Sequence, residues 1–124
     1  MRKSVIILFL GIIYSLNAFG QTTFKIDSVQ FKIVSQNEVS VISKTPKYSG
    51  DIIIPDSISY LGTRYYVTSI ASQAFSLCTT LNSIKIGSKL KSIGDRAFIN
   101  CTALVNLWLP ASVTTIGQYA FASC

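Results

Sequence analysis

The stretch Ser92–Cys101, "SIGDRAFINC", returns as "TIGQYAFASC" at Thr115–Cys124 and, more loosely, as "SIASQAFSLC" at Ser69–Cys78. Working outward, the three copies fall on a 23-residue grid that also aligns what lies between them. Ile70, Ile93 and Ile116 share one position, and Phe75, Phe98 and Phe121 another, each phenylalanine preceded by alanine. Leu81 matches Leu104, Ile84 matches Leu107, Ile86 matches Leu109 and Leu90 matches Val113. The positions between vary freely, with Lys85 opposite Trp108 and Lys91 opposite Thr114. Fixed apolar sites at a constant period of about 20–50 residues are the signature of a solenoid of stacked coils. One coil is too thin to bury its own apolar side, so each coil closes on the next.

Within a coil, "LNSIKI" (Leu81–Ile86) and "LVNLWL" (Leu104–Leu109) alternate as strands do. Turns follow at Gly87-Ser88 and Pro110-Ala111, where proline lacks the amide hydrogen a strand needs. A second extended piece covers Leu90–Ile93 or Val113–Ile116. The period then changes in "GDRAFINC" and "GQYAFASC", which predicts one tight helical turn per coil. Ala71 stands where Gly94 and Gly117 stand, so the demand there is for a small residue rather than a left-handed one. The expected core is Ile70, Phe75, Cys78, Leu81, Ile84, Ile86, Leu90, Ile93, Phe98, Cys101, Leu104, Leu107, Leu109, Val113, Ile116, Phe121 and Cys124.

The motif Leu-x-x-Ile-x-Ile, then Leu-x-x-Ile-Gly-x-x-Ala-Phe-x-x-Cys, resembles the BspA-like leucine-rich repeats of bacterial surface proteins, over residues 50–124. The resemblance implies a leucine-rich-repeat solenoid, mostly β with short helical turns. In the first copy Ile52, Ile54 and Pro55 match Ile84, Ile86 and Gly87, but nine extra residues intervene before Ile70. Those residues, within "ISYLGTRYYV" (Ile58–Val67), read as a hairpin turning at Leu61-Gly62. Upstream, "FKIDSVQFKIVSQNEVSVIS" (Phe24–Ser43) alternates on either side of Ser35-Gln36-Asn37, another β-hairpin. A solenoid needs its first coil covered, so residues 21–49 are expected to form an amino-terminal β cap.

Residues 1–20 read as a signal peptide. Arg2 and Lys3 precede the apolar run Val5–Leu16, and Ala18 and Gly20 supply small residues before Gln21. The run is shorter than the ~20 residues of a bilayer-crossing helix, so no membrane span is expected in the mature chain. The expected location is secreted or at the cell surface. Cleavage removes Arg2 and Lys3 and lowers the net charge from +6 to +4. The remaining lysines and arginines form no block, so nucleic acid is not an expected partner.

Histidine is absent, which removes Ser-His and Cys-His nucleophile pairs and histidine metal ligands. The five carboxylates form no paired motif and the seven glycines no phosphate loop, so no catalytic, cofactor or metal site is expected. Cys78, Cys101 and Cys124 share one repeat position and should stack as parallel thiols near the ~4.8 Å strand spacing. A disulfide needs Cβ atoms at ~3.5–4.5 Å on converging vectors, and zinc needs ligands converging on a point. Inert packing is the expectation.

Between the inward strand positions, Ile53, Lys85 and Trp108 should form one outward column and Thr68, Lys91 and Thr114 a neighbouring strip. Tyr60, Tyr65 and Tyr66 are expected on the hairpin beside them. Exposed Trp and Tyr beside cations are what protein-binding surfaces favour. The family resemblance implies a protein ligand from a host, matrix or neighbouring cell, and hence adhesion. The alternative is a structural spacer or the amino-terminal fragment of a larger surface protein. Asp27-Ser28-Val29 and Asp56-Ser57-Ile58 resemble O-glycosylation acceptor triplets of exported bacterial proteins, at Ser28 and Ser57. The sequence ends at a repeat position without a closing segment, which predicts a truncated chain or association through its last coil.

Overall fold

In a computed structural model, residues 22–124 are described, together with two paired strands, β1 (Val5–Phe9) and β2 (Ile12–Leu16). The signal peptide expected at residues 1–20 otherwise lies outside the described residues. The remaining strands are β3 (Thr23–Ile26), β4 (Val29–Ile33), β5 (Glu38–Ile42), β6 (Ser49–Ile54), β7 (Ser57–Tyr60), β8 (Thr63–Ile70), β9 (Thr80–Ile86), β10 (Ser92–Ile93), β11 (Asn106–Trp108) and β12 (Thr115–Ile116).

The repeat builds two parallel sheets, one from each extended piece of the coil. In the first, β8, β10 and β12 lie side by side with Ile70, Ile93 and Ile116 directly paired. In the second, β6, β9 and β11 place Ile52 beside Ile84 and Ile84 beside Leu107. The nine inserted residues form the hairpin β7–β8, which turns at Leu61 (φ 50°) and Gly62 (φ 83°). Two residues at positive φ match the right-handed twist of the flanking strands. The first sheet continues through β5, parallel to β8, and then through antiparallel β4 and β3. The amino-terminal segment is thus a three-stranded meander rather than a single hairpin. Its extra turn, Asp27-Ser28, uses the same left-handed pair (φ 49° and 74°) on non-glycine residues.

The third stretch of the coil differs from its sequence expectation. Residues 72–77, 95–100 and 118–123 are runs of turns, and no helix occurs among the described residues. Within the first two runs alternate amides bond back three residues, as Ala74 N–H does to the Ala71 carbonyl at 3.1 Å. The others donate to the next coil: Gln73 to Asp95 at 3.0 Å, Phe75 to Ala97 at 2.7 Å and Leu77 to Ile99 at 2.9 Å. A helix satisfies its amides within itself; these turns use half of theirs to join coils. The geometry requires left-handed residues at Gln73, Leu77, Arg96, Asn100, Tyr119 and Ser123, all with φ between 55° and 61°.

The residue before each run is small, and is glycine before the second and third, because coils touch there. A Cβ on Gly94 would lie 2.5 Å from the Ser72 nitrogen and 2.8 Å from its Cα, and Gly94 is not among the left-handed residues.

The phenylalanines form a continuous spine. Phe75 and Phe98 stack at 4.8 Å between centroids, Phe98 and Phe121 at 5.1 Å, each pair 6° from parallel. Tyr48 joins the spine at Phe75, 4.4 Å away. Its hydroxyl donates to the Ile42 carbonyl at 2.7 Å and accepts from the Gln30 amide at 3.0 Å. One buried side chain thus pins the meander to the first coil. Burial raises the phenol from its ordinary value of 10.0 to about 12. The unfolded chain therefore loses this proton first, and stability should fall as pH rises from about 10 to about 12. Tyr48→Phe takes this partner from two partly buried backbone groups and should cost about 1–3 kcal/mol at neutral pH. It should also remove this alkaline component, as urea titrations at pH 7 and pH 11 would register.

The thiols form the expected column and none is oxidised: Cys78, Cys101 and Cys124 are free. Cys101 Sγ–H donates to the Phe75 carbonyl and Cys124 Sγ–H to the Phe98 carbonyl, both at 3.0 Å. These two thiols thus do more than fill space, since each donates to a carbonyl one coil away, whereas Cys78 Sγ reaches only the Ser76 carbonyl of its own coil, at 3.9 Å. The Cys101 thiol is held above the ordinary range by its hydrogen-bonding contact with Cys78 and by burial.

Expected core residues through Cys101 are buried, while Leu104, Leu107, Val113 and Phe121 are partly covered. Leu109, Ile116 and Cys124, expected inside, are exposed. They belong to the last described coil, and no further coil of these residues stacks on that side.

Candidate functional site

The pairing register places Ile53 beside Lys85 and Lys85 beside Trp108 on the outer face of β6, β9 and β11. All three are exposed, Ile53 at 69% and Trp108 at 54%. Their inward neighbours Ile52, Ile54, Ile84 and Ile86 are buried, so alternation along each strand fixes which side faces water. A second file runs beside it, where the Ser83 hydroxyl donates to Asp51 Oδ1 at 2.7 Å. Sequence reasoning passed over this pair, although Asp51 and Ser83 stand two residues before Ile53 and Lys85. The resulting face carries an aliphatic group, an ammonium and an indole in line, about one strand spacing apart (~4.8 Å).

The hairpin tyrosines divide. Tyr65, expected on the surface, is buried. Tyr60 is half-buried, stacked on Phe24 at 3.8 Å and 6°. Both face the meander, and Phe24 lies 6.5 Å from the Tyr65 ring as well. Successive residues of a strand point to opposite faces, so Tyr65 and Tyr66 do not share a surface. Tyr66 is half-buried and borders a cleft of about 220 Å³ with Asn37, Glu38, Thr68, Lys89 and Lys91. Glu38 is engaged there on both oxygens: Thr68 Oγ–H donates to Glu38 Oε1 at 3.1 Å and Lys91 Nζ lies 3.6 Å from Glu38 Oε2. The strip Thr68, Lys91, Thr114 does stack, through Lys91 N–H to the Thr68 carbonyl and Thr114 N–H to the Lys91 carbonyl, but Thr68, expected to point outward, is buried against Glu38.

Ser28 is exposed on the β3–β4 turn and Ser57 is half-buried at the start of β7. Both line a larger cleft, of about 610 Å³, between that turn and β6. Among the described residues no group of three or more His, Cys, Asp or Glu is placed to hold a metal, and no helix is long and apolar enough to cross a membrane.

Residues 51–124 match the family model described as "BspA type Leucine rich repeat region (6 copies)". No curated protein matches the chain. Solved structures do. A leucine-rich cell surface protein from Faecalibacterium prausnitzii superposes with a TM-score of 0.72 at 28% identity, over 83% of this chain and 28% of that one. A leucine-rich repeat protein from Bacteroides ovatus gives 0.71 at 31% identity, over 82% of this chain and 27% of its own. One from Bacteroides capillosus gives 0.74 at 27% identity, over 84% of this chain and 77% of its own. The chain therefore spans little more than a quarter of the first two.

Proposed function

We infer, from the premise that this chain belongs to the BspA-type leucine-rich repeat family, that it is an exported module which binds another protein through the file Ile53, Lys85, Trp108. The single observation that carries the reading is the exposure of an indole and an isoleucine in register with a cation on a flat parallel sheet. Tryptophan is among the residues most enriched at the energetic centre of protein interfaces. A sheet face built from a repeat is rigid, so little ordering entropy is lost when a partner seats on it. Location at the cell surface is supported by the description of the Faecalibacterium relative, and adhesion to host, matrix or neighbouring-cell protein is the corresponding role. Ser28 and Ser57 remain the residues proposed to carry O-linked sugar.

Binding to a panel of purified matrix proteins, measured by biolayer interferometry, tests this reading. The native chain should bind at least one of them. Trp108→Ala should weaken that binding by about 2 kcal/mol or more, roughly thirtyfold, and Lys85→Glu should weaken it too. Both residues are exposed, so the variants should unfold within about 0.5 kcal/mol of the native chain. Equal binding by native and variant chains would remove this file as the binding surface, and binding by neither would favour a spacer.

A further inference from the structure

The two parallel sheets of the solenoid begin differently. The first is continued past β8 by β5, β4 and β3. The second ends at β6, whose partner among the described residues is β9 alone. A strand paired on one side leaves alternate amides and carbonyls of its other side without a ladder partner. Here that bare edge forms one wall of the cleft of about 610 Å³, through Ser49, Asp51, Ile52 and Ile53, while the turn Asp27-Ser28 stands opposite. The volume lies within the ~300–1,000 Å³ typical of ligand sites.

We propose that this cleft receives an extended, cationic peptide segment of another protein, which adds to β6 as a fourth strand of the β11–β9–β6 sheet. Main-chain groups spaced along a strand edge are matched by another strand, which is how β-augmentation obtains its affinity. The sign of the partner's charge follows from the walls. Asp27 and Asp51 both line the cleft. Lys44 lines it too, but its ammonium donates to the Pro46 carbonyl at 3.0 Å and sits 4.8 Å from the Tyr48 ring. With two carboxylates against one ammonium in its lining, the cleft is net negative on a chain of net charge +6. Ile53, two residues from Asp51 on the same strand face, is exposed beside it, so apolar side chains alternating with lysine or arginine suit it. A second copy of this chain is the weaker fit, because pairing β6 with its own copy brings an Asp51 carboxylate from each chain to one edge.

The test uses the full chain and a capped peptide of alternating valine and lysine, six residues long to match β6. Two control peptides carry glutamate for lysine or N-methyl groups at alternate amides. The lysine peptide should bind saturably and slow hydrogen exchange at the outward amides of Ser49–Ile54. N-methylation, glutamate replacement and Asp51→Lys in the protein should each weaken binding about tenfold or more, with circular dichroism confirming that the variant folds. Trp108 does not line the cleft, so Trp108→Ala should leave peptide binding unchanged, which distinguishes the two sites although Ile53 borders both. Absence of saturable binding overturns the proposal, as does equal affinity of the N-methylated or glutamate peptide. Protection of the β6 amides in a self-associated chain without peptide overturns it in favour of a second copy.

Discussion

Phe98→Ala should destabilise the protein by about 3–5 kcal/mol, the loss typical of emptying a buried phenylalanine site. Phe98 is fully buried and stacks on both sides, on Phe75 at 4.8 Å and on Phe121 at 5.1 Å. Its removal opens a gap between two coils whose backbones are tied together on every side, so little collapse can fill it. In a solenoid, stability is the sum of coil terms and nearest-neighbour terms, and this one substitution cuts two neighbour terms at once. A domain of this size has only ~5–15 kcal/mol in total. Phe121→Ala is the internal comparison: Phe121 is only partly buried and stacks on one side, so it should cost clearly less. Urea denaturation of the three proteins would show it, and equal losses at the two positions would contradict the spine.

Gly94→Val should cost about 3 kcal/mol or more, the upper part of the range for overpacking. The first atom of any side chain at this point meets the Ser72 backbone at 2.5–2.8 Å. Backbone has no rotamer to yield, so the coils must part. Parting them strains the Gly94 amide bond to the Ile70 carbonyl, 2.8 Å long, and with it the ladder through Ile70 and Ile93. Gly62→Ala separates this effect from simple loss of a glycine. Nothing lies within 4 Å of a Cβ at Gly62, so only its left-handed backbone (φ 83°) is penalised, by about 1–2 kcal/mol. Thermal or urea unfolding should rank Gly94→Val far below Gly62→Ala, and the reverse order would contradict close coil contact.

The columns of the solenoid were legible because each demand is made three times. Ile70, Ile93 and Ile116 stand at one position since each must touch the next, and the outward file Ile53, Lys85, Trp108 follows from strand alternation. The small residue at Gly94 was legible for the same reason, through Ala71. Three features were not. The turn runs read as helical because Ala-Phe and Cys are spaced as on a helix; their left-handed residues are Gln, Leu, Arg, Asn, Tyr and Ser, none of which announces positive φ as glycine does. Tyr48 belongs to no repeat position, and only the folded chain brings its hydroxyl between Gln30 and Ile42. The hairpin tyrosines were assigned to one surface by proximity in sequence. Parity within β8 sends Tyr65 inward, and the register shift between Val39 and Ser40 breaks that parity before Ile70.

The account stands or falls on coil-to-coil register, and nuclear Overhauser contacts across the ladder read it most directly. The structure requires contacts between Ile70 and Ile93 and between Ile93 and Ile116, at one strand spacing, together with contacts linking Ile53 to Lys85 and Lys85 to Trp108. Contacts displaced by one residue, or none between these isoleucines, would dismantle the stacked coils and the outer-face file alike.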